Sequence, residues 1–444
     1  MIIYRPALFT HGSALRHVAR MMGASGVGLL ATFLADIFTV IYVSQLSQPV
    51  LVGAVGLAKT LVFLNVAFCS GLVISAGVLL SKAIGESGSR VHSHLIAHLL
   101  FLAFLFSLFI VLLETMAFSR LTQWVGADTE TVDAAKNFGW MALASCPLLA
   151  VSQTCSQVLR ASGEVGRAVG VPLSGALSLA IADPIFIFGF EMGLEGAGAA
   201  LALSATISLA CGVWFLKGAG GIYKPQKGAL LEHLRQILPI ALPATLGNLA
   251  TPISLTYLMT ILATMGASAM AGMAVMDRVM QFAYCFYFAI PSALVPILGQ
   301  NMGGGHSARV LATLKSAMAL VVVYGLTVWF AVSLLAPLAV HHLNLEGAAA
   351  EMFGAFGRAG AGLWIIFGLD FVAQAIFLTM GQARWVLIFA WVRGTLGTFP
   401  FVYLGAQWQG APGALMGLWC GNALVSILSI CMACYVCRRT LKGI

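Results

Sequence analysis

Apolar residues run in long continuous blocks along this chain, and polar residues collect in the short connections between them. A helix needs about 20 apolar residues to cross a bilayer. Twelve blocks meet that length, at 21–44, 52–80, 95–118, 138–159, 168–190, 197–216, 237–263, 270–299, 311–337, 357–381, 385–406 and 413–436. The blocks are apolar throughout instead of alternating, which argues against an outer-membrane barrel. The pattern predicts an all-α integral membrane protein with about twelve transmembrane helices.

Composition agrees. Of the 444 residues, 60% are hydrophobic and 9% charged, and the mean hydropathy is +0.97. Soluble domains carry roughly 25% charged residues, so the lipid bilayer is the main solvent of this chain. A net charge of +8 would suit nucleic acid, but its distribution points elsewhere. With the N-terminus placed inside, the inner connections hold Arg5, Arg16, Arg20, Lys82, Arg90, Arg160, Arg167, Lys217, Lys224, Lys227, Arg235, Arg309, Lys315, Arg384, Arg438, Arg439 and Lys442, which is 17 of the 23 basic residues. Only Arg120, Lys136 and Arg358 fall outside, while Lys59, Arg278 and Arg393 lie within or at the ends of spans. This is the positive-inside bias. It predicts a multi-pass protein of the cell inner (plasma) membrane with both termini cytoplasmic. The outer connections read as net acidic, with Glu114, Asp128, Glu130, Asp133, Glu191, Glu195, Glu346 and Glu351. The first span is too long for a signal-peptide core and lacks a convincing cleavage site, so it is read as a retained helix.

The longest polar connection, Lys217 to Arg235, contains Gly220, Gly221, Pro225 and Lys227 and falls at the chain midpoint. The segments on either side resemble each other at an offset near 218. Leu30-Ala31-Thr32-Phe33 matches Leu249-Ala250-Thr251-Pro252, and Ser81-Lys82-Ala83-Ile84-Gly85 with Arg90 matches Gly299-Gln300-Asn301-Met302-Gly303 with Arg309. The loops at Gly163 and Gly381 match, as do Gly196-Ala197 and Gly410-Ala411. Six plus six spans keep one orientation, so the repeat is parallel. The expected architecture is an N-lobe over 1–222 and a C-lobe over 223–444, two pseudo-symmetric six-helix lobes around a central cleft.

These features resemble the multidrug and toxic compound extrusion (MATE) transporters along essentially the whole chain. The matching residues are Leu34-Ala35-Asp36 in span one, the Leu51-Val52-Gly53-Ala54-Val55-Gly56-Leu57-Ala58 opening of span two, and Gly299-Gln300-Asn301-Met302-Gly303 ending span eight. Asp183-Pro184-Ile185-Phe186-Ile187-Phe188-Gly189 in span five looks like the DinF-like branch. The resemblance implies a secondary active antiporter that exports amphipathic, cationic drugs or toxic compounds in exchange for H⁺ or Na⁺ by alternating access. Two departures stand out. Leu179 occupies a position where that branch often has Asn, and span one has no Pro, so any bend there would rely on Gly26 and Gly28.

A charge at bilayer centre costs about 2.5–3.5 kcal/mol on insertion scales, so each buried acid asks for a reason. Asp36 and Asp183 each lie 16 residues beyond an inner arginine, Arg20 and Arg167. At 1.5 Å per residue both sit roughly 24 Å from the inner end, at equal depth. Two such carboxylates can share one proton or one Na⁺. Asp370 in span ten is a third ion-coupling candidate, with Arg393 as its possible structural partner; in the NorM-like branch a span-ten acid takes part in cation handling. Asp277-Arg278 reads as a neighbouring pair. Candidate substrate-binding residues are Asn65, Gln153, Gln157, Ser204, Asn248, Tyr257, Gln281 and Tyr284, with Gln374 a further polar position, although for any one of them taken singly helix–helix hydrogen bonding is the favoured reading. Met273, Met276, Met280 and Phe282 offer an adaptable apolar surface, either for drug or for lipid.

Other classes fit poorly. Gly23-Ala24-Ser25-Gly26 matches the GxSG of an intramembrane serine protease, but all nine His lie in loops or at span edges. No HExxH, P-loop or GxGxxG occurs, so no enzyme is expected. Cys431, Cys434 and Cys437 form a CxxCxxC run without a companion His, which reads as small-residue packing. His94 and His98 have metal spacing but no acidic neighbour, and read as a solvated face. No metal site or cofactor is expected beyond the coupling ion, and the protein is expected to be a monomer. A channel lacks a filter-like loop. A flippase of a lipid-linked precursor is the main alternative, distinguished by a basic cavity; here three buried acids outweigh Arg393.

Overall fold

Backbone donors and acceptors cannot be left open in hydrocarbon, so a chain this apolar satisfies them within helices. The computed structural model describes residues 7–46, 49–87, 93–124, 129–218 and 227–442, and among these it contains helices and turns but no strand. Arg5, Arg90, Asp128, Gly220, Gly221, Lys224 and Pro225, named above, lie outside the described residues. The helices are α1 (Ala14–Ser44), α2 (Pro49–Ser87), α3 (Ser93–Trp124), α4 (Thr129–Ala161), α5 (Val165–Pro184), α6 (Gly193–Gly218), α7 (Leu230–Asn248), α8 (Ala250–Ala263), α9 (Ala267–Ala283), α10 (Cys285–Phe288), α11 (Ile290–Gly303), α12 (Ser307–His342), α13 (Ala348–Ala355), α14 (Ala361–Thr379), α15 (Arg384–Gly394) and α16 (Phe399–Leu441).

Several spans that look continuous in hydropathy are built from pieces. Residues 237–263 break at Leu249 between α7 and α8, and 270–299 is assembled from α9, α10 and α11. Wide π-type turns at Ile185–Gly189 and Phe356–Gly360 interrupt two more. Among the described residues, eleven segments are long and apolar enough to cross a membrane; the last, Arg384–Leu441, has 58 residues. That is far more than one crossing needs. Gln409 and Gly410 leave helical geometry there, with Gly410 at φ 61° and Pro412 just beyond, dividing it into an eleventh and a twelfth span.

The described residues group into two compact units. One holds residues 27–245 with Ala7 and Leu8, and the other holds Phe9–Gly26 with residues 246–442. Relative to a cut after residue 222, the units therefore trade the first part of α1 and most of α7. In the first unit, Ile237 and Ala241 of α7 join Leu72, Ala76, Leu95 and Leu99 in one buried cluster. Gly71 makes that contact possible, since a Cβ there would lie 2.2 Å from the Ala241 carbonyl oxygen. Around α1, α5 and α6 the packing residues are small: Ala35, Ala176, Ala182 and Ala200, with Leu179. This cluster sets the acid-bearing faces of α1 and α5 toward each other.

His98 does not form a solvated face. It is buried, and its Nδ1 lies 2.6 Å from Nδ1 of His233 on α7. Packing of α7 against α3 covers it, which periodicity within α3 alone cannot reveal. In the second unit, Met273, Met276 and Met280 are buried, so they are not lipid-facing. All nine Cys are free; Cys431 and Cys434 are exposed and Cys437 is buried.

Candidate functional site

Asp36 and Thr39 stand three residues apart on α1, hence on one face of it. Asp183 closes α5 just before Pro184 and the wide turn, an interruption of the kind often found at functional sites. The small-residue contact of α1 with α5 places Thr39 Oγ1 2.5 Å from Asp183 Oδ2. Thr39 Oγ1 also lies 3.2 Å from the Ala35 carbonyl. A hydroxyl has one hydrogen and can serve only one of these acceptors at a time. When Asp183 is ionised, Thr39 donates to it; when Asp183 is protonated, the acid donates to Thr39 Oγ1, which turns its hydrogen to Ala35. Asp183 is fully buried and its Oδ1 has no hydrogen-bond partner.

Asp36, in contrast, is paired. Lys59 Nζ on α2 donates to Asp36 Oδ1 at 2.9 Å and to the Asp36 carbonyl at 3.1 Å. The side chains are 23% and 44% exposed, Lys59 the more covered. Lys59 is the site residue that the sequence reading left aside, because nothing local ties a lysine on one span to an acid 23 positions earlier. Asp36, Lys59, Thr39 and Asp183 form a site with two acids and one base. With Lys59 charged, it is neutral when one carboxyl is protonated and carries one negative charge when neither is.

Asp370 on α14 is also buried, and its Oδ2 is held by Arg393 Nη1 and by Gln374 Nε2 at 2.9 Å. The Arg393 guanidinium further lies over the Phe367 ring, 4.8 Å from its centroid. The acid and its expected partner thus meet within the second unit. Gln281 bridges the Asp277-Arg278 pair, donating to Asp277 Oδ2 at 2.6 Å and accepting from Arg278 Nη1 at 3.3 Å.

The Gly299-Gln300-Asn301-Met302-Gly303 motif has a structural task. Gln300 Oε1 accepts from the Phe9 amide at 3.0 Å, and Asn301 Nδ2 donates to the Phe9 carbonyl at 3.2 Å. Arg309 adds bonds to the carbonyls of Phe9, His11 and Gly12. The motif clamps the segment that leads into α1.

The polar residues singled out as substrate contacts divide between the two units. Asn65, Gln153, Gln157 and Ser204 belong to the first unit, and Asn248, Tyr257, Gln281 and Tyr284 to the second. Ser204 Oγ donates to the Gly175 carbonyl at 2.9 Å and Tyr284 to the Ala361 carbonyl at 2.8 Å, both helix–helix bonds. Gln157 is buried and accepts from Arg160 at 3.2 Å. Asn65 is buried against α3. Tyr257 lies 4.4 Å from Phe399 between ring centroids, Gln153 is half-buried, and Asn248 is exposed at the end of α7. A cavity of about 550 Å³ in the second unit is lined by Arg278, Phe282, Tyr324 and Phe353 among others, and shares Arg278 and Phe282 with the residues named above. Among the described residues no group of three or more His, Cys, Asp or Glu could hold a metal ion.

Glu114 is not an outer-connection acid: it lies within the 95–118 block, as a buried residue of α3 that meets Asn65 of α2.

Comparison with known proteins matches this architecture. The MatE family model fits twice, over residues 24–185 and again over 243–404, in step with the internal repeat. An uncharacterised 21 kDa protein of Pseudomonas savastanoi is 36% identical over 211 residues, 46% of this chain and 67% of that protein. The multidrug export protein MepA of Staphylococcus aureus is 22% identical over 418 residues, 91% of this chain and 90% of its own. A mutant of the MATE transporter VcmN of Vibrio cholerae superposes with a TM-score of 0.89 at 20% identity, covering 97% of this chain and 98% of that one. The twelve-span all-helical fold, the repeated family match and these relatives place the chain in one class of membrane transporter, not among enzymes: it belongs to the MATE family.

Proposed function

We propose that this protein is a secondary active antiporter that exports amphipathic cations, drugs among them, in exchange for protons by alternating access. The observation that carries this reading is the Asp36–Lys59–Thr39–Asp183 site. Lys59 neutralises Asp36, so one exchangeable positive charge completes the site. Asp183 has one hydroxyl neighbour and one open oxygen, a poor shell for Na⁺ and a sufficient one for H⁺. Asp183 is then the proton carrier, and Asp36 is the carboxylate that a cationic substrate draws away from Lys59. A substrate that competes with Lys59 binds one conformation better than the other, which is what coupling requires.

The name of the relative MepA supports multidrug export. Cytoplasmic termini in the inner membrane follow from the positive-inside bias, and 1–222 with 223–444 are proposed as the repeated lobes. Asp370, compensated by Arg393, is read as a structural partner. Gln153 and Tyr257, which are half-buried, and Asn248, which is exposed, are proposed as substrate contacts. A flippase of an anionic lipid-linked precursor is disfavoured because Lys59 and Arg393 are each spent on an acid.

Proteoliposomes given a pH gradient or a Na⁺ gradient separately test this. Uptake of a fluorescent organic cation is expected with the pH gradient and not with Na⁺ alone. Uptake driven equally by Na⁺ at constant pH would overturn the proton assignment.

A further inference from the structure

A second buried carboxyl sits in the first unit on a different set of helices. Glu114 of α3 is 3% exposed, and its Oε1 has no hydrogen-bond partner. Its Oε2 accepts from Asn65 Nδ2 of α2 at 3.3 Å. Asn65 is 1% exposed; its Oδ1 accepts from Ser107 Oγ at 2.8 Å and from the Cys69 thiol at 3.6 Å. Ser107 and Glu114 are seven residues apart, two turns along one face of α3. Helical side chains lean toward the N-terminus, which carries the Glu114 carboxyl back toward Asn65. The ionisable groups facing it are the thiols of Cys69 on α2 and Cys146 on α4. Among the described residues, no Lys, Arg or His forms an ion pair with it.

A carboxylate without a counter-ion is unfavourable in such surroundings. One of its oxygens is open, as on Asp183, whereas most buried polar groups are hydrogen-bonded. The Asn65–Ser107 pair meanwhile holds a donor in place for the moment the group is ionised. We infer that Glu114 is a second exchangeable proton site, built on α2, α3 and α4 and separate from the α1–α2–α5 site. The inference rests on the proton-coupled transport reading, and adds a carrier to it. One proton arrives at and leaves from the carboxyl oxygens; no bond between heavy atoms changes.

Glu114→Gln is the informative variant, because the amide reproduces the shape and hydrogen bonds of the neutral acid. If Glu114 were merely structural, Gln would leave transport and its proton count unchanged. Infrared difference spectra of the full-length protein in lipid, recorded between acid and alkaline pH, report protonated carboxyls directly. The wild type is expected to show a protonated-carboxyl band that disappears at alkaline pH, part of which is lost in Glu114→Gln and another part in Asp183→Asn. In proteoliposomes, Glu114→Gln is expected to move fewer protons per exported cation while still binding the cation. Identical spectra and an unchanged proton count in Glu114→Gln would overturn the inference. Should the variant fail to insert, ¹³C labelling of Glu in the wild type identifies the same band, and no pH-dependent shifted band would equally overturn it. The infrared measurement needs no transported compound, so its failure is separable from failure of the efflux reading.

Discussion

Replacement of Asp183 by Asn removes one titration and little else. The side chain is fully buried, so volume matters, and Asn conserves it. The bond at stake is the 2.5 Å contact with Thr39. A hydrogen bond to an ionised group contributes about 1.5–3 kcal/mol and a neutral one about 0.5–1.5, so the structural loss is about 1 kcal/mol. Folded chains hold a margin of about 5–15 kcal/mol, and Asp183→Asn is expected to insert and stay monodisperse. Transport should respond far more. Each pH unit across the membrane is worth about 1.4 kcal/mol per proton moved, a tenfold factor in the concentration ratio a cation can reach. Losing one proton per cycle therefore lowers the limiting accumulation about tenfold for every pH unit of gradient. If that proton is the only one, coupled uptake stops. The assay loads proteoliposomes at acidic pH, dilutes them into a series of higher external pH values, and follows a fluorescent cation to its plateau. An Asp183→Asn plateau that rises with the gradient as steeply as the wild type would refute the reasoning.

Three further outcomes follow from the packing. Lys59→Met leaves Asp36 unpaired, and because the Asp36 side chain is 44% exposed the expected loss of stability is only about 1–2 kcal/mol; thermal melting in detergent should show it, and the double variant with Asp36→Asn should recover it. Asp370→Asn strands Arg393, which is 14% exposed, at a cost of about 3 kcal/mol. Combined with Arg393→Met it should regain stability and still export, whereas a stable but inactive double variant would return Asp370 to the coupling machinery. Gly26→Ala sets a Cβ 2.3 Å from the Phe286 ring; overpacking of that kind costs about 1–3 kcal/mol, and a melting temperature unchanged from wild type would contradict the contact.

Much of the fold can be read directly from residue order. Lipid accepts only residues that bury their backbone within helices, so spans announce themselves as apolar length, and the repeat as recurring motifs at a fixed offset. Asp36, Asp183 and Asp370 were legible for the same reason: a charge inside such a block is costly and therefore conspicuous. What lipid does not encode is rotation and partner. Lys59 becomes a site residue only once α2 presents it to α1, and Thr39, unremarkable in its own span, meets an acid 144 positions away. Glu114 was misplaced although it falls within the 95–118 block, because an acid near the end of a block can face either the interface or a neighbouring helix, and only the contact with Asn65 of α2 shows which. The breaks at Leu249 and Gly410 are equally hidden, since apolar residues on both sides keep the block continuous. Composition along the chain therefore determined which segments enter the membrane and which acids demand an explanation. Packing of helix against helix, a property of pairs and not of single helices, decided that Asp36 meets Lys59, Asp370 meets Arg393 and Asp183 meets Thr39.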